Sequence, residues 1–215
     1  MAETLTRKQA ILAWHFLPDD GRTGYDHAGR GRVLVHAGKK LVHRGAVIPR
    51  QSGLHACERA HDALAYACGS RVCRVACWGE VVRDDDVLAC THRAVLWMAD
   101  ATSTLWGWAC DVAESMLRDE RAAGREPHAC VWAAVETRRR WLRGEASDVE
   151  LRKAANNALC PPTTRAAHAA SWAARVSLAA QASWMVYVLA AAREAHEQSL
   201  VALFETLAPR GSVSA

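Results

Sequence analysis

The chain has 215 residues, of which 51% are apolar and 23% are charged, and its formal net charge is +4. This composition excludes a disordered tail, because so apolar a chain can bury a core, and the length fits one large domain or two small ones. The sequence has no run of about twenty apolar residues without a charge, so we expect no membrane span and no membrane partner.

The first hundred residues predict an α+β module. Short apolar runs rich in β-branched residues alternate there with polar turn signals. A hairpin is predicted around Gly38, and a helix is predicted where Ala60 and Leu64 share one face before Gly69 ends it. The predicted elements are a strand at 10–17, the hairpin at 32–45, an extended piece at 52–56, the helix at 57–68 and a strand at 71–79.

The chain changes character near residue 100, where long alanine-rich stretches with tryptophan begin. Thr91 is a suitable N-cap, and the sequence from Ser147 to Glu150 is a capping box, which typically opens a helix. The predicted helices cover 92–101, 102–124, 127–144, 147–159 and two segments of 163–207 that separate between 180 and 195. The arginine-rich segment 138–143 is predicted to be an exposed, charged helix end without a function of its own.

Together these elements predict the fold class α+β. We expect a small mixed β-sheet with one helix, followed by an all-α helical bundle rich in Ala and Trp. The predicted domains are an α+β module at residues 1–100 and a helical bundle at residues 101–215. Small alanine side chains let helices approach closely, and tryptophans fill the larger gaps between them.

Eight cysteines are spread through the chain. An even number is typical of a disulfide framework, but these cysteines lie among Ala and Val, where a free thiol behaves as a small hydrophobe. No secretory signal is recognised before them, because charges are scattered ahead of a very short apolar run. We therefore expect free thiols and a location in the reducing cytoplasm.

A dense cluster of metal-ligating and nucleophilic side chains raises the question of a chemical site. Its members lie within twenty-one residues: Cys57, His61, Cys68, Cys73 and Cys77. No CxxC pair is present, and only Cys57 has a histidine placed to activate its thiol, so neither a zinc site nor a catalytic thiol is favoured. We expect no metal, and we expect His61 and Asp62 to lie in solvent.

The N-terminal part of the chain is basic, with nine Lys/Arg against four Asp/Glu in residues 1–50. A basic loop at 22–50 is a candidate for contact with nucleic-acid phosphates, although solvated surface cations explain the same count. The candidate nucleic-acid-binding residues are Arg22, Arg30, Arg32, Lys39 and Lys40. Glycines and arginines in this loop do not form a phosphate-binding motif, because no Walker lysine follows them.

The segment "SGLHACERAHDALAYA" at 52–67, followed by "RVCRVACWGEVV" at 71–82, resembles a domain of uncharacterised function that is common in phage and prophage proteins. That domain has a Ser-Gly-Leu-His motif, a short helix with a late Tyr and a strand that ends in Gly-Glu. The resemblance covers residues 10–99 and implies no known reaction. The residues that carry it are Gly53, Leu54, His55, Ala63, Leu64, Tyr66, Val75, Gly79 and Glu80.

The same segment is more distantly similar to the ADP-ribosyltransferase core. Trp14-His15 would match the first strand of that core, residues 53–56 its second motif, and Ala65-Tyr66 the end of its helix. The resemblance implies NAD as the cofactor, with His15 holding the ribose. His55 would stand where the family has a Tyr, and Glu80 is the only nearby Glu that could stabilise an oxocarbenium-like centre.

A second resemblance lies in the alanine-rich half. Residues 138–158 resemble the helical bundles of a bacterial immunity-protein family, through an aromatic-turn-Gly-Glu corner and an alanine-rich helix.

These features leave three functions open. The leading prediction is a phage or mobile-element accessory protein, without a cofactor, that binds a host or defence-system protein in counter-defence or host modulation. The first alternative is an ADP-ribosyltransferase-like enzyme that uses NAD, with His15, His55 and Glu80 as its catalytic residues. The second is a nucleic-acid-binding protein that uses the basic loop.

Overall fold

The computed structural model describes residues 2–23, 31–158, 164–174 and 193–209. The chain divides into two compact units, one of residues 1–101 with 197–215 and one of residues 102–196. An antiparallel sheet lies in the first unit and helices follow it along the chain, so the predicted α+β class is confirmed. The predicted domain boundary after residue 100 stays a prediction.

Six strands form the sheet of the first unit. They are β1 (Ala2–Leu5), β2 (Ile11–Leu17), β3 (Lys40–Val42), β4 (Leu54–Ala56), β5 (Arg71–Arg83) and β6 (Leu88–Asp100). The long hairpin of β5 and β6 is the framework, with β1 and β2 along the outer edge of β5 and β3 and β4 along that of β6. Every strand pair among the described residues is antiparallel, so the prediction of a mixed sheet is wrong. A parallel pair would need a long crossover connection, whereas a turn of four residues joins β5 to β6.

The sheet curls until its two outer strands meet. Trp14 at the middle of β2 and Cys57 just after β4 exchange two backbone hydrogen bonds, of 2.7 and 2.9 Å. The sheet also bends at a bulge in β5, where Gly79 has a φ of +84° and a Cβ would overlap the hydroxyl of Thr91. Buried side chains of both long strands, among them Val75 and Val95, pack inside this curl.

Three predicted elements differ from the observed ones. Residues 92–101 form most of strand β6 rather than a helix, because pairing with β5 along the strand outweighs the weak local preference. The predicted hairpin at 32–45 does not form, since β3 pairs with β6 and Gly38 N–H donates to the carbonyl of Val95. The helix predicted at 57–68 is only six residues long, α1 (Ala60–Ala65).

The second unit contains α2 (Thr102–Ala122), α3 (Ala129–Leu142), α4 (Asp148–Asn157) and α5 (Arg165–Ala173). The predicted capping box opens α4, where Ser147 Oγ accepts from Glu150 N–H at 3.2 Å and the Glu150 carboxylate accepts from Ser147 N–H at 2.8 Å. The predicted break at 160–162 lies outside the described residues. Within the described parts of the chain, no helix is long and apolar enough to cross a membrane.

Arg138 in α3 departs from the prediction of an exposed arginine-rich helix end, whereas Arg143 of the same segment is exposed. Its side chain is fully buried, and its guanidinium lies 3.9 Å from the ring centre of Trp106 and 4.6 Å from that of Trp141. Its Nε donates to the carbonyl of Ala173 at 2.7 Å. Burial lowers the pKa of Arg138 to about 10. The residue is buried because its planar guanidinium stacks on aromatic faces while its nitrogen bonds a backbone carbonyl.

The last described helix, α6 (Arg193–Leu207), contributes to the first unit from Glu197 onward. The carboxylate of Glu197 accepts hydrogen bonds of 2.7 and 2.8 Å from the backbone N–H groups of Ala60 and His61, at the start of α1. Phe204 is buried, and its ring lies 5.4 Å from that of Trp14. The predicted separation of two helices between 180 and 195 falls largely outside the described residues.

Candidate functional site

The first unit contains a cavity of about 660 Å³ beside the meeting point of β2 and β4. We call it the β2–β4 cavity. Its wall comes from β2, β4, the connection between β3 and β4, α1 and β6. Its polar and charged lining residues include His15, His43, Arg50, His55, Tyr66 and Arg93. Pockets for small molecules usually have about 300–1,000 Å³, so this cavity has the right size for one.

The two histidines of the predicted site both belong to the lining of this cavity. His15 follows Trp14 in β2 and His55 lies two residues before Cys57, so both flank the backbone bridge between the strands. Gly53 leads the chain into β4 with a φ of +121°, which favours glycine. The Ser-Gly-Leu-His motif is therefore the approach to a short strand that lines the cavity.

Arg93 supplies a buried positive charge to the cavity wall. Only 4% of its surface is exposed, and its Nη1 donates a hydrogen bond to the backbone carbonyl of His55. Burial holds the pKa of Arg93 below its usual value, but an arginine remains charged at neutral pH.

His15 is neutral at neutral pH. Burial, the positive charge of Arg93 and the nearby His55 together hold its pKa well below the usual range, with burial as the largest cause. A neutral imidazole has one nitrogen that donates a hydrogen bond and one that accepts, so His15 can bind a hydroxyl or another polar group of a ligand.

A second arginine lies at the cavity but its charge is already paired. Arg50 forms salt bridges with Asp84 and, at 2.6 Å, with Asp86, both in the turn between β5 and β6. Its Nε also donates to the hydroxyl of Tyr66 at 3.3 Å, and that hydroxyl donates to Asp86 at 2.9 Å. These contacts tie the connection between β3 and β4 to the far turn of the sheet.

The residues predicted as catalytic do not come together as one set. His15 and His55 both line the β2–β4 cavity, whereas Glu80 does not. Glu80 lies exposed on β5, where its backbone N–H donates to the hydroxyl of Thr91 at 3.1 Å. No Asp or Glu is found among the described residues that line the cavity, so the carboxylate that a transferase needs is not supplied by this lining.

The predicted nucleic-acid-binding residues lie in separate segments of the chain, and the charge of one of them is balanced by a carboxylate. Arg32 forms a two-pronged salt bridge with Asp20 at 2.8 and 2.9 Å, and Arg22 donates to the carbonyl of Arg32 at 3.1 Å. Lys39 and the exposed Lys40 stand at the start of β3. The last of the five, Arg30, lies outside the described residues.

The cysteine- and histidine-rich segment contributes to the packing of the first unit and does not form a metal site within the described residues. No group of three or more metal-ligating side chains occurs among the residues that the structure describes, and the cysteines described there are free. Burial raises the pKa of Cys57, which makes its thiol a poor nucleophile. His61 and Asp62 are buried, with 0% and 7% exposed, so the prediction that they lie in solvent is wrong. Both residues lie in the first turn of α1, whose backbone N–H groups donate to Glu197 of α6.

Sequence reasoning missed Arg93, because residues 92–101 were predicted to be a helix. Within a strand, Arg93 shares one side with Val95, which is buried in the structure. A charged residue in such an inward pattern was the available signal. Comparisons of the chain with protein-family models, with curated proteins and with solved structures found no match.

Proposed function

We propose that this chain binds a small organic ligand in the β2–β4 cavity, with NAD or a related nucleotide as the ligand class. The observation that supports this proposal is that His15 and His55, the two histidines of the resemblance to the ADP-ribosyltransferase core, line one cavity of about 660 Å³. The volume suits a ligand of this size. The ligand class follows from the resemblance alone.

The chemistry of the lining supports binding more directly than group transfer. The neutral imidazole of His15 can donate a hydrogen bond to a ribose hydroxyl or accept one from it, and Leu41 and Leu54 add apolar surface to the lining. Glu80, the residue assigned to transition-state stabilisation, does not line the cavity. The proposed function is therefore ligand binding, and transfer of ADP-ribose is a separate proposal that needs Glu80.

Titration calorimetry with NAD, ADP-ribose and adenosine tests the binding proposal. We expect measurable binding to the wild type and binding weaker by about 2- to 10-fold in His15→Ala, because a neutral hydrogen bond contributes about 0.5–1.5 kcal/mol. Glu80→Gln is the matched control, since Glu80 is exposed away from the cavity, and it should bind like the wild type. Absence of binding for all three ligands at millimolar concentration, or equal weakening by Glu80→Gln, would contradict the proposal.

Transfer of ADP-ribose is tested by the same variants in a labelled-NAD assay on host lysate. Label transfer that requires both His15 and Glu80 would support the transferase. Binding of NAD without transfer of the label would support the ligand-binding proposal and contradict the transferase.

The interpretation as a phage or mobile-element accessory protein that acts on a host or defence-system protein stays a prediction. Its nearest physical support is four exposed apolar side chains between residues 33 and 48, a stretch that also contributes to the cavity wall. They are Val33, Leu34, Val42 and Ile48. A stoichiometric partner retained from host lysate by the wild type, and lost when Leu34 and Val42 are changed to Ser, would support it.

A further inference from the structure

The guanidinium of Arg93 is buried in the wall of the β2–β4 cavity without a carboxylate partner among the described residues. Its Nη1 bonds the backbone carbonyl of His55, and its buried Nε has no hydrogen-bond partner in the described part of the chain. A neutral carbonyl satisfies one N–H group but does not balance the charge. Buried charges in proteins are normally paired, because removing an ion from water is costly.

Two arginines of the same unit, both with more exposed side chains, show the usual arrangement. Arg83 pairs with Glu3 and, at 2.7 Å, with Glu58. Arg50 pairs with two aspartates, as described above. Arg93 is more deeply buried than either of these, and yet it lacks such a partner within the described residues.

The titratable groups that influence Arg93 most are three buried thiols, Cys73, Cys77 and Cys90. Burial raises the pKa of Cys73 to about 12, and a hydrogen bond with Cys90 together with burial raises that of Cys77. Both thiols are therefore neutral near pH 7. The pKa of Cys90 is lowered, mainly by its hydrogen bond with Cys77, but a thiol is a far weaker acid than a carboxyl group.

We propose that Arg93 is an anion-binding residue, and that the ligand of the β2–β4 cavity carries a carboxylate or phosphate group that docks on it. This inference rests on the proposed function for the presence of a ligand, but not for the identity of that ligand. The carbonyl of His55 holds one nitrogen of the guanidinium fork and thereby orients the rest of it. Arginine forks suit the paired oxygens of carboxylates and phosphates.

The rest of the lining fits an organic anion rather than a simple ion. Leu41, Val42 and Leu54 line the cavity, and they offer apolar surface to a ligand body. The cavity therefore combines a large apolar wall with one buried positive charge, which suits an acid that has an apolar or aromatic body.

Pairs of ligands that differ by one anionic group test the proposal, and they show whether the group that binds Arg93 is a phosphate or a carboxylate. The phosphate arm compares AMP with adenosine, and the carboxylate arm compares nicotinate with nicotinamide, by calorimetry on the full chain. In at least one arm we expect the wild type to bind the anion about 10- to 100-fold more tightly than its neutral partner, the contribution of charged hydrogen bonds. In Arg93→Met that ratio should fall to about one, and in Arg93→Lys it should be intermediate. The control Arg83→Met, which removes a charge that is already paired outside the cavity, should keep the wild-type ratio.

The outcomes separate this inference from the proposed function. Equal binding of anionic and neutral ligands by the wild type would overturn the role of Arg93 while leaving a nucleotide-binding cavity. If the wild type prefers the anionic ligand, Arg93→Met loses this preference and NAD does not bind, the anion-binding role of Arg93 would be supported and NAD would be overturned as the ligand. Arg93→Met should also keep or raise the melting temperature, since it removes an unpaired buried charge. If Arg93→Met does not fold, Arg93→Lys tests the proposal instead. An anion preference equal to that of the wild type in Arg93→Lys, in both the phosphate and the carboxylate comparison, would overturn a site that uses the two nitrogens of the arginine.

Discussion

The neutral state of His15 predicts a specific loss of stability in acid. In the unfolded chain its imidazole has a pKa near 6.5, whereas burial and the charge of Arg93 hold the pKa in the folded state well below that value. Below pH 6.5 the unfolded chain takes up a proton that the folded protein does not bind, so stability falls as the pH falls. Between pH 7.5 and 5.0 the share of His15 in this loss reaches at most about 2 kcal/mol, at about 1.36 kcal/mol per pH unit below the unfolded pKa.

Urea unfolding of the wild type and of His15→Asn at pH 7.5 and 5.0 measures this share. Other titrating groups contribute to both proteins, so the difference between the two pH-dependent losses isolates His15. We expect the variant to lose up to about 2 kcal/mol less than the wild type over this range. His36→Asn, which changes an exposed imidazole in the same unit, should keep the wild-type loss. Equal losses in the wild type and in His15→Asn would refute the reasoning.

Three further predictions concern stability and use the same unfolding assay. Glu197→Ala leaves two N–H groups of α1 without their acceptor and should cost about 1–3 kcal/mol, whereas the exposed Gln198→Ala should cost little. Gly79→Ala forces a side chain into left-handed backbone against Thr91, with an expected cost of about 1–3 kcal/mol, and a stable variant would show that the bulge can rearrange. Ser147→Ala removes the N-cap of α4 and should cost about 1 kcal/mol; no change in unfolding would contradict this estimate.

Features with a local cause were predictable from the sequence. The capping box at Ser147 opens α4 because its two hydrogen bonds join residues only three positions apart. The α+β class followed from the change between short β-branched runs and long alanine-rich stretches. His15 and His55, the two histidines of the resemblance to the ADP-ribosyltransferase core, were also selected from the sequence, and both line the cavity.

Features that depend on distant partners were not predictable. The sequence predicts Thr91 as the N-cap of a helix, but in β6 its hydroxyl accepts a hydrogen bond from the Glu80 N–H across the hairpin, and the strand depends on pairing with β5. Once β6 was misassigned, the inward position of Arg93 could not be recognised. The backbone N–H of His61 donates to Glu197, which lies 136 residues away along the chain. No local pattern encodes such a contact.

The hydrogen bond from Ala60 to Glu197 also bears on synthesis, because it spans 137 residues of the chain. At about 5–20 residues per second, a ribosome needs roughly 7–27 s to make that intervening length. Throughout this interval the first turn of α1 lacks its acceptor, and Trp14 and Phe16 lack the ring of Phe204. The cavity-bearing unit therefore completes its folding late in translation.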